Sequence, residues 1–346
     1  MEDQPYLSVV VAARNDNYGG DFEQRLQNCV NWFCYYADLF QLNSEFLIVN
    51  YNPIKERMQL TDAIQFPKSN FVKFRIVTVP NSFHEKISDE KIRKKVPLYE
   101  YVAKNIGIRR ARGEFIVSGN PDVLWDPSYF EYMCKKDLSK DIYYRADRAD
   151  YANGLTNISP GMESLSLVRS SVFHYFKKGF RYDYSLTGIV SLKIAMLELR
   201  NRCRLFYNLF IFEHEKLANR FNLHINYDNV EYRVHTNASG DFFMMHRNNW
   251  ARLKGHPENT YLSIHTDALS IVMARYSGLR EKVFFCPVYH RDHARRFDAE
   301  KNDESITAMY RKFETEGKWM ESNNKPIIYN DDNWGFPNEA FEVIEL

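Results

Sequence analysis

The stretch Asn105-Ile-Gly-Ile-Arg-Arg-Ala-Arg-Gly-Glu-Phe-Ile-Val-Ser-Gly-Asn-Pro-Asp-Val-Leu-Trp125 decides the fold class of this chain. Its first part has the apolar spacing of a helix, which we predict over residues 97–112. Gly113 is placed to end that helix, because glycine tolerates a left-handed cap conformation. Residues 115–117 are a short apolar run, typical of a strand covered on both faces, and we predict that strand over residues 115–118. Asp122 then follows the carboxyl end of the strand, where open α/β sheets bind their ligands.

Outward from this stretch, apolar runs and helical periodicity alternate along the chain. This alternation predicts an α/β fold with a mostly parallel sheet, right-handed crossovers and helices on both faces. A charged stretch at residues 86–95 is interpreted as a solvated loop. Strands are predicted at residues 7–13, 46–49, 71–79, 142–145, 230–235, 242–246 and 283–288, and helices at 22–40, 188–220, 267–276 and 305–315.

The bulk composition limits the class of protein. With 346 residues, of which 45% are hydrophobic, the chain can build a substantial core. A net charge of +1 gives no global field that favours nucleic acid or an anionic membrane. The five cysteines are scattered and form no Cys-x-x-Cys pair, so reduced thiols are the simplest interpretation.

The first residues are acidic and do not resemble a signal peptide, and no stretch approaches the roughly 20 apolar residues that span a bilayer. We therefore expect a cytoplasmic protein without a transmembrane segment. An aromatic and basic run at residues 200–212 could lie on a membrane surface, so peripheral membrane contact stays open. A buried helix with snorkelling arginines is the favoured alternative for that run.

Asn120-Pro121-Asp122 is the first candidate for chemistry. A carboxylate at a strand end can hold Mg²⁺ or Mn²⁺ and leave coordination positions for two phosphate oxygens. Asn, Pro and Asp are also ordinary turn residues, so a simple turn is the alternative. The helix and strand that precede Asp122 favour the metal site.

A second candidate follows the predicted strand at residues 283–288. His290 and His293 could complete a metal shell, and Arg291 could meet phosphate as a planar donor. A polar loop without a ligand is the competing interpretation.

Two acidic residues are candidates for a general base that removes a proton from an acceptor hydroxyl. Asp267 lies at a predicted helix start, where an acid also suits the helix dipole for purely structural reasons. Glu258, nine residues earlier, is the rival base.

Polar groups also follow the first two predicted strands, where a base and ribose would lie in a nucleotide-binding half. They are Arg14, Asn15, Asp16, Asn50 and Asn52. A turn role is equally open for each of them singly. No Gly-x-Gly-x-x-Gly, Walker loop, Gly-x-Ser-x-Gly or His-Glu-x-x-His motif occurs, which disfavours the corresponding dinucleotide, nucleoside-triphosphate, serine-hydrolase and zinc-protease functions.

In their order along the chain these pieces resemble the GT-A glycosyltransferases, in particular the family 2-like group. Residues 8–16 resemble the nucleotide-binding opening of that group, and residues 46–53 resemble its second strand. Residues 104–115 are the most specific stretch, since they precede the metal-binding acidic motif of the family. Residues 235–242 and 255–258 resemble the acceptor-side region of bacterial relatives.

The resemblance implies a transferase, of the hexosyl- or pentosyl-transferring kind, that moves a sugar from a UDP- or GDP-sugar to a glycan or glycoconjugate hydroxyl. It implies a divalent metal, Mn²⁺ or Mg²⁺, on Asp122 with His290 or His293, and inversion with Asp267 as base. It implies no nucleic-acid partner. The residues assigned to the nucleotide sugar are Ala13, Arg14, Asp16, Asn50, Asn105, Arg109, Asn120 and Asp241.

The same resemblance implies one GT-A domain at residues 1–300. Its donor half spans residues 1–135, its acceptor half spans 136–300 with a helical insertion at about 186–222, and a C-terminal extension covers 301–346. The chain departs from the family at two positions, where Asn120 and Asn50 replace acids. A non-catalytic nucleotide-sugar or glycan-binding module is therefore an alternative. A sugar nucleotidyltransferase is a weaker one, because it would carry a glycine-rich basic loop after the first strand.

Overall fold

The computed structural model describes residues 4–177, 180–183, 203, 236, 239–258, 263–293 and 304–346. The predicted strand at residues 230–235 lies outside the described residues. Three further predictions also lie outside the described residues, except for Cys203. They are the helix at 188–220, the aromatic and basic run at 200–212 and the insertion at 186–222.

The described strands and helices alternate through the first half of the chain. The strands are β1 Leu7–Ala13, β2 Ser44–Tyr51, β3 Val72–Val79, β4 Phe115–Gly119, β5 Val123–Trp125, β6 Ile142–Arg145, β7 Arg148–Tyr151, β8 Val172–Lys177, β9 Phe180–Asp183, β10 Phe242–His246, β11 Arg280–Val283, β12 Val288–Arg291 and β13 Glu342–Glu345. The helices are α1 Phe22–Leu39, α2 Leu60–Ala63, α3 Asn81–Ile87, α4 Glu90–Lys95, α5 Glu100–Arg110, α6 Pro127–Met133, α7 Met162–Ser170, α8 Arg247–Leu253, α9 Thr266–Tyr276 and α10 Glu304–Asn323.

Within the described residues, eight strands form a large sheet in the order β11-β6-β10-β4-β1-β2-β3-β13. The central strands β4, β1, β2 and β3 are parallel to one another, whereas β10 and β13 are antiparallel to their neighbours. The predicted α/β class with a mostly parallel central sheet is confirmed.

Strand β1 shows why this sheet is covered on both faces. All seven of its residues are buried. Val9 and Val11 pack into the core on the side of α1, and Val10 and Ala12 pack into the core on the side of α5. A strand with apolar residues at every position buries both faces at once, which requires helices on each side.

The predicted end of α5 is wrong in its detail. The helix ends at Arg110, and Ala111 follows in an extended conformation. Gly113 has no left-handed backbone, so it is not the helix cap. A Cβ atom at Gly113 would lie 2.5 Å from the backbone nitrogen of Ser8. Glycine is needed here because the chain passes close to the start of β1.

Two further predictions are corrected. Residues 86–95 are not a loop, since the end of α3 and all of α4 lie there. Residues 283–288 are not one strand, because β11 ends at Val283 and β12 begins at Val288. The intervening Pro287 has no N–H to donate to a strand ladder, which interrupts the apolar run.

A second sheet of five described strands, in the order β5-β12-β7-β8-β9, was not anticipated from the sequence. The chain leaves the large sheet at Gly119, at the end of β4, and enters the second sheet at Val123, at the start of β5. Residues 120–122 therefore cross from one sheet to the other. This crossing puts Asp122 beside β12 and β7, which carry the other groups of the candidate site.

The C-terminal residues also belong to the fold. β13 pairs antiparallel with β3, so it extends the large sheet at that edge. The helix predicted at 305–315 runs further, to Asn323. No described helix combines the length and apolarity that crossing a bilayer requires.

Candidate functional site

Asp122, His290 and His293 form a group that could hold a metal ion. One ligand atom from each residue lies within 4.8 Å of the other two, and among the described residues no other such group of His, Cys, Asp or Glu occurs. The strand pairing explains the convergence. His290 in β12 is directly opposite Val123 in β5, the residue after Asp122, and His293 lies two positions past β12.

Both imidazoles present the same atom to Asp122. Nε2 of His293 is 3.2 Å from Oδ2 of Asp122, and Nε2 of His290 is 3.8 Å from that oxygen. The other nitrogen of His290, Nδ1, is 3.3 Å from Oδ1 of Asp150. Asp150 lies in β7 directly opposite His290. A metal-binding histidine usually places its second nitrogen against a carboxylate, so His290 has the surroundings of a ligand.

The two carboxylates are charged in this environment. Burial by itself raises the pKa of Asp122, but His290, a hydrogen bond from His293 and the guanidinium of Arg25 hold that pKa well below its ordinary value. Burial also raises the pKa of Asp150, and the nearby imidazole of His290 and the charge of Arg148 overcome it and lower that pKa. Negative charge is therefore retained at neutral pH, as a cation site needs.

The donor atoms fit a divalent transition ion. Two imidazole nitrogens and one carboxylate oxygen suit first-row metals, whereas Mg²⁺ prefers oxygen ligands alone. The choice between Mn²⁺ and Mg²⁺ stays a prediction, and this donor set favours the former.

Arg25 is a member of the site that the sequence prediction missed. Arg25 is 2% exposed, and its Nη1 donates to Oδ2 of Asp122. Nη2 donates to the carbonyl oxygen of Tyr18, and Nε is 3.3 Å from the carbonyl oxygen of Gly20. Arg25 lies on the buried side of α1 between Phe22 and Cys29, and an arginine at an apolar helix position was the signal that could have found it.

A chain of ion pairs and hydrogen bonds connects this cluster with the end of β4. Arg148 donates to Asp150 at 2.6 Å and is 3.2 Å from Asp241. Asp241 accepts from Nδ2 of Asn120 at 2.7 Å. The Oδ1 atom of Asn120 accepts from Nζ of Lys104 at 2.9 Å. Asn120 is thus held by a cation on one side and a carboxylate on the other.

Asp267 lies near the end of this series of ion pairs and hydrogen bonds that is far from His290. It is in the first turn of α9, and its Oδ2 accepts from the hydroxyl of Ser239 at 2.8 Å. Ser239 and Asp241 flank Gly240, whose carbonyl oxygen accepts from Nζ of Lys104 at 3.1 Å. The loop at residues 239–241 therefore contacts both the predicted base and the Asn120 turn.

The residues predicted to bind the nucleoside lie at the carboxyl ends of β1 and β2. Ala13 is paired with Asn50 across the two strands. Arg14 donates to the carbonyl oxygen of Asn52 at 2.7 Å and pairs with Asp16 at 2.9 Å. Asn50 is 3% exposed, and its Oδ1 has no hydrogen-bond partner among the described residues.

Other predicted site residues contact the C-terminal segment instead. Asn105 donates to Oε1 of Glu258 at 2.8 Å, and the backbone nitrogen of Gly335 donates to the same oxygen at 2.9 Å. The guanidinium of Arg109 lies over the ring of Trp334, 4.8 Å from its centroid. Burial raises the pKa of Glu258 to about 7. None of the described contacts of Asn105, Arg109 and Glu258 is with Asp122.

No family model and no curated protein sequence matches this chain. Among solved structures, it is similar to a crystal structure of GalNAc-T7 with UDP, GalNAc and Mn²⁺, with a TM-score of 0.43 and 11% sequence identity. The similarity covers 95% of this chain and 53% of the other, so this chain spans about half the length of that protein.

Proposed function

We propose that this protein is a metal-dependent glycosyltransferase of the GT-A type, which moves a sugar from a UDP- or GDP-sugar to a hydroxyl of a glycan or glycoconjugate. One observation carries the proposal. Asp122, His290 and His293 converge, with Asp150 behind His290, at the carboxyl end of a mostly parallel sheet. Ligands of open α/β sheets bind at that edge.

The donor half binds the nucleotide sugar. Asn50 and the Arg14–Asp16 pair lie where β1 and β2 end, so they seat the nucleoside. Asp122, His290 and His293 would hold a divalent cation, which would supply positive charge against the diphosphate leaving group. Arg291, which is 2% exposed and whose Nη1 has no hydrogen-bond partner among the described residues, offers a further donor to phosphate.

The acceptor half supplies the base. Asp267 takes the proton of the acceptor hydroxyl while the acceptor oxygen bonds to the anomeric carbon and the bond from that carbon to the diphosphate breaks. A single displacement of this kind inverts the configuration. The hydroxyl of Ser239 holds Oδ2 of Asp267, which orients the carboxylate. Glu258 is the rival base, and its hydrogen bonds to Asn105 and Gly335 favour Asp267 for the role.

Thermal stabilisation by UDP- and GDP-sugars, with and without Mn²⁺, tests donor binding. A cognate donor raises the unfolding midpoint only when the metal is present, because a ligand that binds the native state stabilises it. Product formation by the wild type and by Asp267→Asn then tests the base. We expect transfer to fall by about 10²–10⁴-fold in the variant with donor stabilisation unchanged. Near-normal transfer by Asp267→Asn contradicts the assignment of the base.

A non-catalytic nucleotide-sugar or glycan-binding module is the second candidate, and Asn120 is the observation that favours it. This side chain replaces a carboxylate, and Lys104 and Asp241 already hold it. Calorimetry with Mn²⁺ and donor, run alongside assays of transfer and donor hydrolysis, separates the two functions. Binding without turnover supports the module.

A further inference from the structure

Arg25 is a buried cation whose described hydrogen-bond partners are oxygen atoms. Its side chain is 1% exposed. It donates to Oδ2 of Asp122 and to the carbonyl oxygens of Tyr18 and Gly20. A buried carboxylate is costly without a partner, so this guanidinium neutralises Asp122 in the absence of a metal.

The oxygen that Arg25 holds is the one that both histidines face. Nε2 of His293 and Nε2 of His290 are 3.2 Å and 3.8 Å from Oδ2 of Asp122. A cation bound by these three atoms would share that oxygen with the guanidinium. Two positive groups around one buried oxygen repel each other strongly, because the surrounding protein screens charge far less than water does.

We propose that Arg25 is an internal competitor of the divalent metal: it occupies Oδ2 of Asp122 in the metal-free protein and withdraws from that oxygen when the metal binds. This inference rests on the metal site of the proposed function. It adds a residue that sets the metal affinity and keeps the site neutral until a metal arrives.

Arg25 is hydrogen-bonded to the loop between β1 and α1. Tyr18 and Gly20 supply carbonyl oxygens to Arg25, and the ring of Tyr18 lies edge-on to His293 with centroids 5.6 Å apart. Asp21, at the end of the loop, is 3.2 Å from Arg291. Asp16 at its start belongs to the predicted nucleoside site. Withdrawal of Arg25 therefore loosens residues 17–21, which couples metal binding to the donor side of the crevice.

Isothermal titration of the full chain with Mn²⁺ alone tests the competition. We expect Arg25→Met to bind Mn²⁺ about tenfold or more tightly than the wild type, because the competing charge is gone. The metal-free variant loses stability, since Asp122 is then unpaired, and Mn²⁺ raises its unfolding midpoint by more than it raises that of the wild type. Arg25→Lys keeps a charge on a different head group, and we expect an intermediate affinity.

Arg169→Met is the matched control. Arg169 also pairs with a buried carboxylate, Asp126, at 2.6 Å, but it does not contact Asp122. Its replacement leaves the Mn²⁺ affinity within about twofold. Hydrogen exchange gives an independent measurement: Mn²⁺ speeds exchange at residues 17–21 of the wild type and changes it little in Arg25→Met.

The outcomes separate this inference from the proposed function. Equal or weaker Mn²⁺ binding by Arg25→Met overturns the competition and leaves the metal site intact, since the wild type still binds. Absence of Mn²⁺ binding by both proteins overturns the metal site as well. If Arg25→Met does not fold, Arg25→Lys decides: affinity no higher than that of the wild type overturns the proposal.

Discussion

Asp122 and Glu258 are two carboxylates with little access to solvent, and their partners differ in kind. Asp122 faces the guanidinium of Arg25 and the imidazoles of His290 and His293. Glu258 accepts hydrogen bonds from neutral groups, the amide of Asn105 and the backbone N–H of Gly335. Burial alone would raise the pKa of both carboxyls, yet the pKa of Asp122 is lowered and that of Glu258 is raised to about 7.

The difference lies in what each position does with its charge. Cationic and imidazole partners preserve the negative charge of Asp122, so that position suits a bound cation. Neutral N–H partners hold Glu258 in place without a counter-charge. Glu258 follows α8, and its hydrogen bonds connect this part of the chain with α5 and with the C-terminal segment. The sequence indicates both residues as candidates for chemistry, whereas their surroundings favour cation binding at Asp122 and a structural contact at Glu258.

The largest expected effect comes from Asp122→Asn. This change keeps the shape of the side chain and leaves Arg25 buried without its carboxylate, which costs about 3–5 kcal/mol of folding free energy. Urea denaturation measures the loss, and Mn²⁺ should no longer raise the unfolding midpoint. The same change from acid to amide at Glu258 is the control, and at pH 7 it should cost little. A loss below about 1 kcal/mol in Asp122→Asn would contradict the comparison.

The next effect is the pH dependence that Glu258 gives to stability. Its pKa is about 7 in the folded protein against an ordinary value of 4.5. The folded state therefore favours the protonated form, and the stabilisation present below pH 4.5 is lost as the pH rises through about 7. Relative to Glu258→Gln, which cannot ionise, the wild type should lose up to about 3 kcal/mol over that range. If the difference in unfolding free energy between the two proteins is the same at every pH, Glu258 does not cause the pH dependence.

The smallest expected effect comes from Asp150→Asn. The variant keeps an oxygen near Nδ1 of His290 but loses the charge that orients the imidazole. Changes at such supporting carboxylates weaken metal binding by about 10–100-fold. Titration with Mn²⁺ measures the change, and Asp141→Asn, at an exposed position, is the control. An unchanged affinity in Asp150→Asn would mean that His290 does not depend on the second carboxylate.

The carboxyl ends of strands were the part of the site that sequence could reveal. Asp122 follows a short apolar run that predicts a strand, so a carboxylate at the end of that strand could be predicted. Its approach to His290 could not be predicted in this way, because it depends on the antiparallel pairing of β5 with β12 in the second sheet. Arg25 and Asp150 could not be found in that way. Each is defined by a partner far away in the chain, 97 residues away for the Arg25–Asp122 contact. The position of Arg25 on the buried side of α1 marks it as unusual, but no local pattern identifies Asp122 as its partner.

The fold shows the same division. β1 and α1 were predicted almost to the residue, because a continuous apolar run and a long amphipathic helix are strong local signals. The second sheet was missed, because its strands are short and β5 has three residues. α4 was mistaken for a loop because its charged residues suggested solvation, although Lys, Arg and Glu are good helix formers.

The two outer strands of the large sheet differ in how they limit pairing with another chain. An unpaired strand edge can template pairing with another chain. Among the described residues, one edge is β11, which carries Arg280, Glu281 and Lys282. Charges of this kind discourage edge-to-edge association. Without β13, the other edge of the sheet would be the apolar strand β3. β13 pairs with that edge of β3. β13 thus replaces β3 as the outer strand and places Glu342 and Glu345 on it, and removing β13 would leave the more apolar β3 with an unpaired edge.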